Sequence, residues 1–136
     1  TAAKYADYTN WTSDPDGFTH KREVLAEHCA AVGRDIDEIT HSANYHTVLA
    51  ETEAEAWRKV DAIEARLAPH LGDKLGEVMK LYRDGAAIVG TPEQAIERLT
   101  TLQKRGLAYA IHYFPELAYD RSGAELFETK VIPELA

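Results

Sequence analysis

Hydrophobic and polar positions follow two rhythms along this chain, and the switches between them mark its elements. The clearest unit is GTPEQAIERLTTLQKRGLAYAIHYFP, residues 90–115. Ala95, Ile96, Leu99 and Leu102 recur at helical spacing, with Glu97, Arg98, Gln103 and Lys104 on the opposite side. Thr91 is placed to cap this helix, Pro92 fits its first position, and Gln94 completes a capping box. Gly106 stops the helix. Residues 107–114 then run apolar on both faces up to Pro115, the pattern of a strand buried in a parallel sheet.

The rest of the chain supplies the neighbours of that unit. Residues 1–5 read as the last turn of a helix and residues 6–11 as a short strand rich in aromatic and β-branched side chains. Ser13 or Asp14 caps, over Pro15, a helix of residues 16–32 whose inner face carries Phe18, Leu25, Cys29 and Val32. Residues 39–50, ITHSANYHTVLA, form a second strand, too polar for a plain core strand and suited to lining a polar cavity. Thr52 and Glu55 open a helix running through Leu67, with Trp57, Val60, Ile63 and Leu67 inside, until Pro69 and Gly72 break it. A further helix over 74–83 buries Leu75, Val78, Met79 and Tyr82, and residues 86–89 are an apolar connector. Ser122 and Glu125 cap a last helix with Leu126, Phe127, Val131 and Leu135 inside, which Pro133 kinks or ends early. Strands alternating with long helical segments imply βαβ units and a parallel sheet. About three such strands with flanking helices leave sheet edges open.

Composition narrows the partners. A chain of 136 residues supports one domain with a modest core. Its net charge of −8 argues against nucleic acid or an anionic membrane as a partner, because both select basic surfaces. The single Cys29 excludes an internal disulfide and points to a reducing compartment. No apolar run approaches the ~20 residues of a membrane helix. With no signal-peptide pattern, a cytoplasmic location is expected. The opening Thr1, in what reads as a helix end, suggests a piece of a longer chain.

Few residues advertise chemistry. His41 and His46 are five apart on a strand, so they point to opposite faces and cannot share an ion. His20 and His28 are too far apart on their helix, and no HExxH or CxxC spacing occurs, so no metal site is expected. His46 and His112, inside otherwise apolar strands, either line a cavity or sit hydrogen-bonded in the core. The start at Gly90 and Thr91 either receives an anion or is simply a capped helix. Asn10 and Trp11 end a short strand, where an aromatic serves as a cofactor wall or as core. No glycine-rich nucleotide loop or nucleophile elbow is present.

The strings AAKYADYTNW, HKREVLAEHCAAVGRDIDEI, VLAETEAEA, GTPEQAIERLTTLQKRGLAYAIHYFP and ELFETKVIPEL occur in this order across essentially the whole chain. Together they resemble the C-terminal half of the luciferase-like flavin-dependent oxidoreductases, TIM-barrel enzymes that use FMN or the deazaflavin coenzyme (F-420). The resemblance implies an α/β fold, the C-terminal portion of a (β/α)8 barrel. Residues 6–11, 39–50 and 107–114 would be strands six, seven and eight, with residues 51–85 a helical insertion. All of 1–136 would form a single partial domain.

Chemistry in such barrels sits at the C-terminal ends of the strands. That rule, applied through the resemblance, makes Asn10, Trp11, Tyr113 and Phe114 the expected cofactor-binding residues. His46, Gly90 and Thr91 become the expected substrate-binding ones. The main catalytic residues of the family lie in the other half, so no catalytic residue is carried over. The implied function is part of an oxidoreductase or monooxygenase that passes a hydride or activates oxygen on a small organic substrate. A homo-oligomer is expected, and the fragment alone would be inactive. The alternative is a non-catalytic α/β binding or assembly module that dimerises through open strand edges.

Overall fold

The long polar strand of the sequence becomes β2 (Thr40–Leu49), and every other strand pairs with it in parallel. The computed structural model describes residues 1–135. Helical turn α1 (Ala2–Tyr5) leads through β1 (Tyr8–Asn10) and α2 (Pro15–Ala31) to β2. After β2 come α3 (Glu53–Leu71), α4 (Leu75–Arg83), β3 (Ile88–Gly90), α5 (Pro92–Lys104) and β4 (Tyr109–Tyr113). Two short helices, α6 (Ser122–Leu126) and α7 (Ile132–Leu135), end the chain, joined by a π-helical turn, Phe127–Val131.

The register explains why β2 is the longest strand. Tyr8 lies beside Thr40, Tyr109 beside Ser42, Tyr113 beside His46 and Ile88 beside Thr47. Strand β1 thus uses its first residues, β4 its middle and β3 its last residues. Strand β3 is a difference from the sequence reading, which makes residues 86–89 a connector. Three residues are too few to show alternation, and only pairing with β2 makes them a strand.

Alternation along the strands divides the sheet into two faces. Ala43, Tyr45 and Leu49 point to the face covered by α2, α5 and the C-terminal helices. There they meet Phe18, Ala95, Leu99, Leu102, Phe127 and Val131 in the main core. On the other face only the C-terminal end is covered. Val48 packs there against Val60, Ile63, Met79 and Tyr82 of the α3–α4 pair. A third cluster, Ala3, Leu25, Cys29 and Ile39, seats α1 and α2.

This division corrects the expectation that the last strand is buried on both faces. Tyr109, Ile111 and Tyr113 are 59%, 41% and 60% exposed, because helices reach that side of the sheet just at its C-terminal end. The intervening residues of that strand face the helices and pack. Val32 also differs, being exposed at the C-cap of α2.

The helix boundaries show which sequence signals act. Asp14, not Ser13, caps α2, accepting from the Gly17 N–H at 2.7 Å. The capping box of α5 forms as spaced, with the Thr91 N–H donating to Gln94 Oε1 at 2.9 Å. Helix α3 runs through Pro69 to Leu71, since a proline in the last turn removes only one rung of the ladder. The expected Ser122 cap does not form. Instead Asp120 Oδ1 accepts the Ser122 N–H at 2.9 Å. The break expected at Pro133 takes the form of the widened turn just before it. Gly123 lets α6 approach β2, because a Cβ there would stand 3.0 Å from the Leu49 carbonyl oxygen. Among the described residues, no helix is long and apolar enough to cross a membrane.

Candidate functional site

The uncovered face of the sheet gathers a different set of side chains from the core face. Strand β1 contributes Tyr8 and Asn10, β2 contributes Ser42, Asn44 and His46, and β4 contributes Tyr109, Ile111 and Tyr113. The shared parity of these residues follows from the parallel register. The Asn10 amide donates to Asn44 Oδ1 at 3.1 Å, so two carboxamides stand together between aromatic flanks. A flat face with a few convergent polar groups is the usual composition of a small-molecule surface.

Where the α3–α4 pair leans over the C-terminal end of this face, it encloses a cavity of about 360 Å³. Ile63, Leu67, Val78, Leu81 and Tyr82 line its helical side, and His46 and Tyr113 its sheet side. His46 Nδ1 and the Tyr82 hydroxyl are hydrogen-bonded at 2.9 Å, and the His46 and Tyr113 rings are 4.9 Å apart. Burial holds the His46 imidazole below its ordinary pKa, so the ring is neutral near pH 7. Burial, reinforced by Tyr113 and Glu116, pushes Tyr82 up to about 12, so its hydroxyl keeps its proton.

Charges at the cavity rim are answered within the protein. Arg66 pairs with the buried Glu116, and its guanidinium lies 4.6 Å from the centre of the Tyr119 ring. Lys59 reaches the Leu49 carbonyl at 3.2 Å, Ser122 Oγ at 2.8 Å and Asp120 at 2.8 Å. The Lys59 ammonium, with the Ser122 N–H and hydroxyl, holds the Asp120 carboxyl down to about 2, and the Lys59 bonds tie α3 to the loop after β4. A larger cleft of about 810 Å³ separates α3 from the C-terminal helices. Its cations Arg58, Lys59 and Lys130 all have carboxylate partners.

The structure separates the residues that the sequence singles out. Asn10, His46 and Tyr113 lie on the uncovered face. Trp11 does not: it packs on Phe18 and His41, on the helix-covered side. Phe114 also turns away from Tyr113, as neighbours in a strand must, and meets Phe127 with ring centres 5.5 Å apart. His112 shares that core face, bonded through Nδ1 to Thr47 Oγ1 at 2.8 Å, and burial lowers its pKa to about 4. Gly90 and Thr91 sit at the C-terminal end of the sheet, where the Gly90 carbonyl accepts from the Ala50 N–H at 3.1 Å. The Thr91 hydroxyl and N–H are both committed to the capping box. Among the described residues, no group of three or more His, Cys, Asp or Glu could hold a metal ion.

Tyr82, Arg66 and Asn44 join the site without having stood out in the sequence. Tyr82 carried a usable signal: a tyrosine on a buried helix face needs a partner for its hydroxyl. Asn44 shares parity with His46. Arg66 carried none, since its place depends on how α3 meets the loop after β4.

Comparison with known proteins fits this geometry. The chain is 27% identical to the sulfoquinovose monooxygenase of Agrobacterium fabrum over 163 aligned positions, covering 94% of this chain and 40% of that protein. The chain thus spans well under half the length of that relative. Among solved structures, a riboflavin lyase superposes with a TM-score of 0.69 at 16% identity, over 98% of this chain and 39% of the other. The coenzyme F-420-dependent tetrahydromethanopterin reductase of Methanopyrus kandleri gives 0.67 at 20% identity, over 99% of this chain and 47% of its own. The fold is therefore that of part of a luciferase-like TIM barrel, with parallel strands and their crossover helices. The family model described as luciferase-like monooxygenase matches residues 1–109, most of the chain, and the chain belongs to that family.

Proposed function

We propose that this chain is the C-terminal part of a flavin- or deazaflavin-dependent oxidoreductase, and that its uncovered sheet face is one wall of the cofactor and substrate site. The observation that carries this reading is the contrast between the two sides of one sheet. One side is sealed by helices, while the other presents Asn10, Asn44, Tyr109, Ile111 and Tyr113 to solvent. A planar tricyclic ring needs a flat apolar wall and hydrogen-bonding groups for its polar edge. These aromatics and the paired carboxamides match both requirements. When bound, such a ring supplies two-electron transfer, and in the FMN case oxygen activation.

The work left to this chain's own residues is binding and exclusion. Tyr113 would lie against the ring, and Asn10 would hydrogen-bond its polar edge. The α3–α4 pair closes the substrate end against water. The relatives support either FMN or F-420 as the cofactor, and their chains are long enough to supply the remaining strands.

The test is a titration of FMN and of F-420 into the protein carrying this chain together with the sequence preceding Thr1. Saturable one-to-one fluorescence change with either cofactor is expected, weakened in Asn10→Leu. Absence of binding by both overturns the reading. The 136-residue chain by itself is expected not to bind either stoichiometrically.

A second reading draws on the same exposed aromatics. Among the described residues, strands β1 and β4 each pair only with β2, so a non-catalytic module could bury these edges in a homodimer. Sizing chromatography separates the two: a dimer that binds no cofactor in any context favours the module.

A further inference from the structure

The cavity beneath the α3–α4 pair has a combination of features that narrows what it can hold. Its helical wall is mostly aliphatic, with the exposed His70 beside it, its guanidinium, Arg66, is committed to Glu116, and its polar floor is the His46–Tyr82 pair. An anion entering here would lose its hydration against Ile63, Leu67, Val78 and Leu81. It would also have to compete with the Glu116 carboxylate for Arg66. An uncharged molecule meets neither penalty.

The polar floor is specific about geometry. Tyr82 occupies Nδ1 of His46, which leaves Nε2 without a partner among the described residues, on a side chain that lines the cavity. Because both groups are neutral, either can be the donor in the bond between them, depending on the imidazole tautomer. With the Tyr82 hydroxyl donating to Nδ1, Nε2 carries hydrogen and donates outward. With Nδ1–H donating to the hydroxyl, Nε2 accepts. A single nitrogen is thereby matched to a carbonyl oxygen in one state and to a hydroxyl in the other.

We propose that this cavity is the substrate pocket for an uncharged, mainly aliphatic molecule bearing one hydroxyl or carbonyl oxygen, and that Nε2 of His46 binds that oxygen. The proposal rests on the oxidoreductase reading for the word substrate. The binding itself does not depend on it. Tyr82 is a positioning residue, acting through the imidazole whose free nitrogen it determines.

The experiment uses three probes with one carbon skeleton: cyclohexanol, cyclohexanone and cyclohexanecarboxylate. Each is titrated without cofactor into the full protein labelled with 15N-histidine, reading the His46 Nε2 resonance, which is assigned by its loss in His46→Phe. Cyclohexanol and cyclohexanone should both shift this resonance saturably, in opposite directions. Cyclohexanecarboxylate should bind at least tenfold more weakly.

His46→Phe keeps the ring volume and should cost the two neutral probes tenfold or more in affinity, followed by tyrosine ring signals. His46→Gln, which retains a donor and an acceptor, should recover part of it. Tyr82→Phe should leave binding in place but erase the opposite signs of the two shifts. The proposal is overturned if the carboxylate binds as tightly as the alcohol, if His46→Phe binds unchanged, or if no probe binds. Cofactor binding with no probe binding defeats this pocket alone, whereas probe binding with no cofactor binding defeats the oxidoreductase reading alone.

Discussion

His46 and His112 stand on neighbouring strands, one register step apart, yet they occupy different chemical worlds. His112 pairs in register with Tyr45, faces the helices, bonds Thr47 and stacks near Phe127. His46 pairs in register with Tyr113, faces the open side and bonds Tyr82. Both imidazoles are held neutral by burial, so protonation state does not distinguish them. Parity does. One step along a strand decides whether a histidine packs against the helices or faces the open side of the sheet.

The same contrast should separate the tyrosines of the two faces, and by a larger energy than any other test. Tyr45 is fully buried, and Tyr45→Ala should cost about 3–5 kcal/mol in urea unfolding. Tyr109→Ala, on the open face at 59% exposure, should stay within roughly 0.5 kcal/mol of the parent. Equal losses at the two sites would break the two-face description.

The pH dependence sharpens it further. The folded His112 has a pKa of about 4 against an ordinary 6.5, so on acidification the unfolded chain takes up its proton first. Stability should be full above pH ~6.5 and fall progressively towards about pH 4, by at most about 3 kcal/mol from this group. His112→Phe should flatten that slope in urea midpoints measured across the range. Some slope should remain, because His41 and His46 are shifted in the same direction. A parent whose stability does not change across this interval would place His112 in a wetter setting than the core face.

Much of this was legible in the sequence, and what was not has a physical reason. The Thr91–Gln94 capping box, Pro92 and Gly106 wrote both ends of α5, because those signals act within a few residues. The polar strand over 39–50 announced a cavity, and β2 indeed carries Asn44 and His46 on the open face. The face assignments of Trp11 and Phe114 were not legible. Proximity to a strand end says nothing about parity until the partner strand fixes which side the helices cover. Strand β3 and Arg66 were hidden for a related reason, since each is defined by a partner far away in sequence.

A smaller effect concerns what closes the open face at its C-terminal end. Arg66→Met strands the Glu116 carboxylate, which is only 9% exposed, beside the rim of the cavity. A fully buried pair broken this way costs about 3–5 kcal/mol, but Arg66 is part-exposed and water can relax the loss to roughly 1–2 kcal/mol. The double variant with Glu116→Gln should recover most of it, and a double-mutant cycle in urea measures the coupling. Additive losses would mean that the Arg66–Glu116 pair adds nothing to what the packing on Val48 and the Lys59 contacts already supply.

The smallest expected change in stability carries the most functional weight. Tyr113 is 60% exposed, so Tyr113→Leu removes little packing and should alter unfolding by less than about 0.5 kcal/mol. It does remove the ring that stands 4.9 Å from His46 and faces the uncovered side. On the proposed oxidoreductase reading, the same substitution should weaken cofactor binding several-fold in the titration described above. Phe114→Leu, one residue further on, should do the reverse, disturbing the contact with Phe127 and leaving cofactor affinity intact. Adjacent residues with opposite phenotypes are what a sheet with one sealed and one working face requires. If both substitutions affected only stability, or both affected only binding, the division between the two faces would lose its functional meaning.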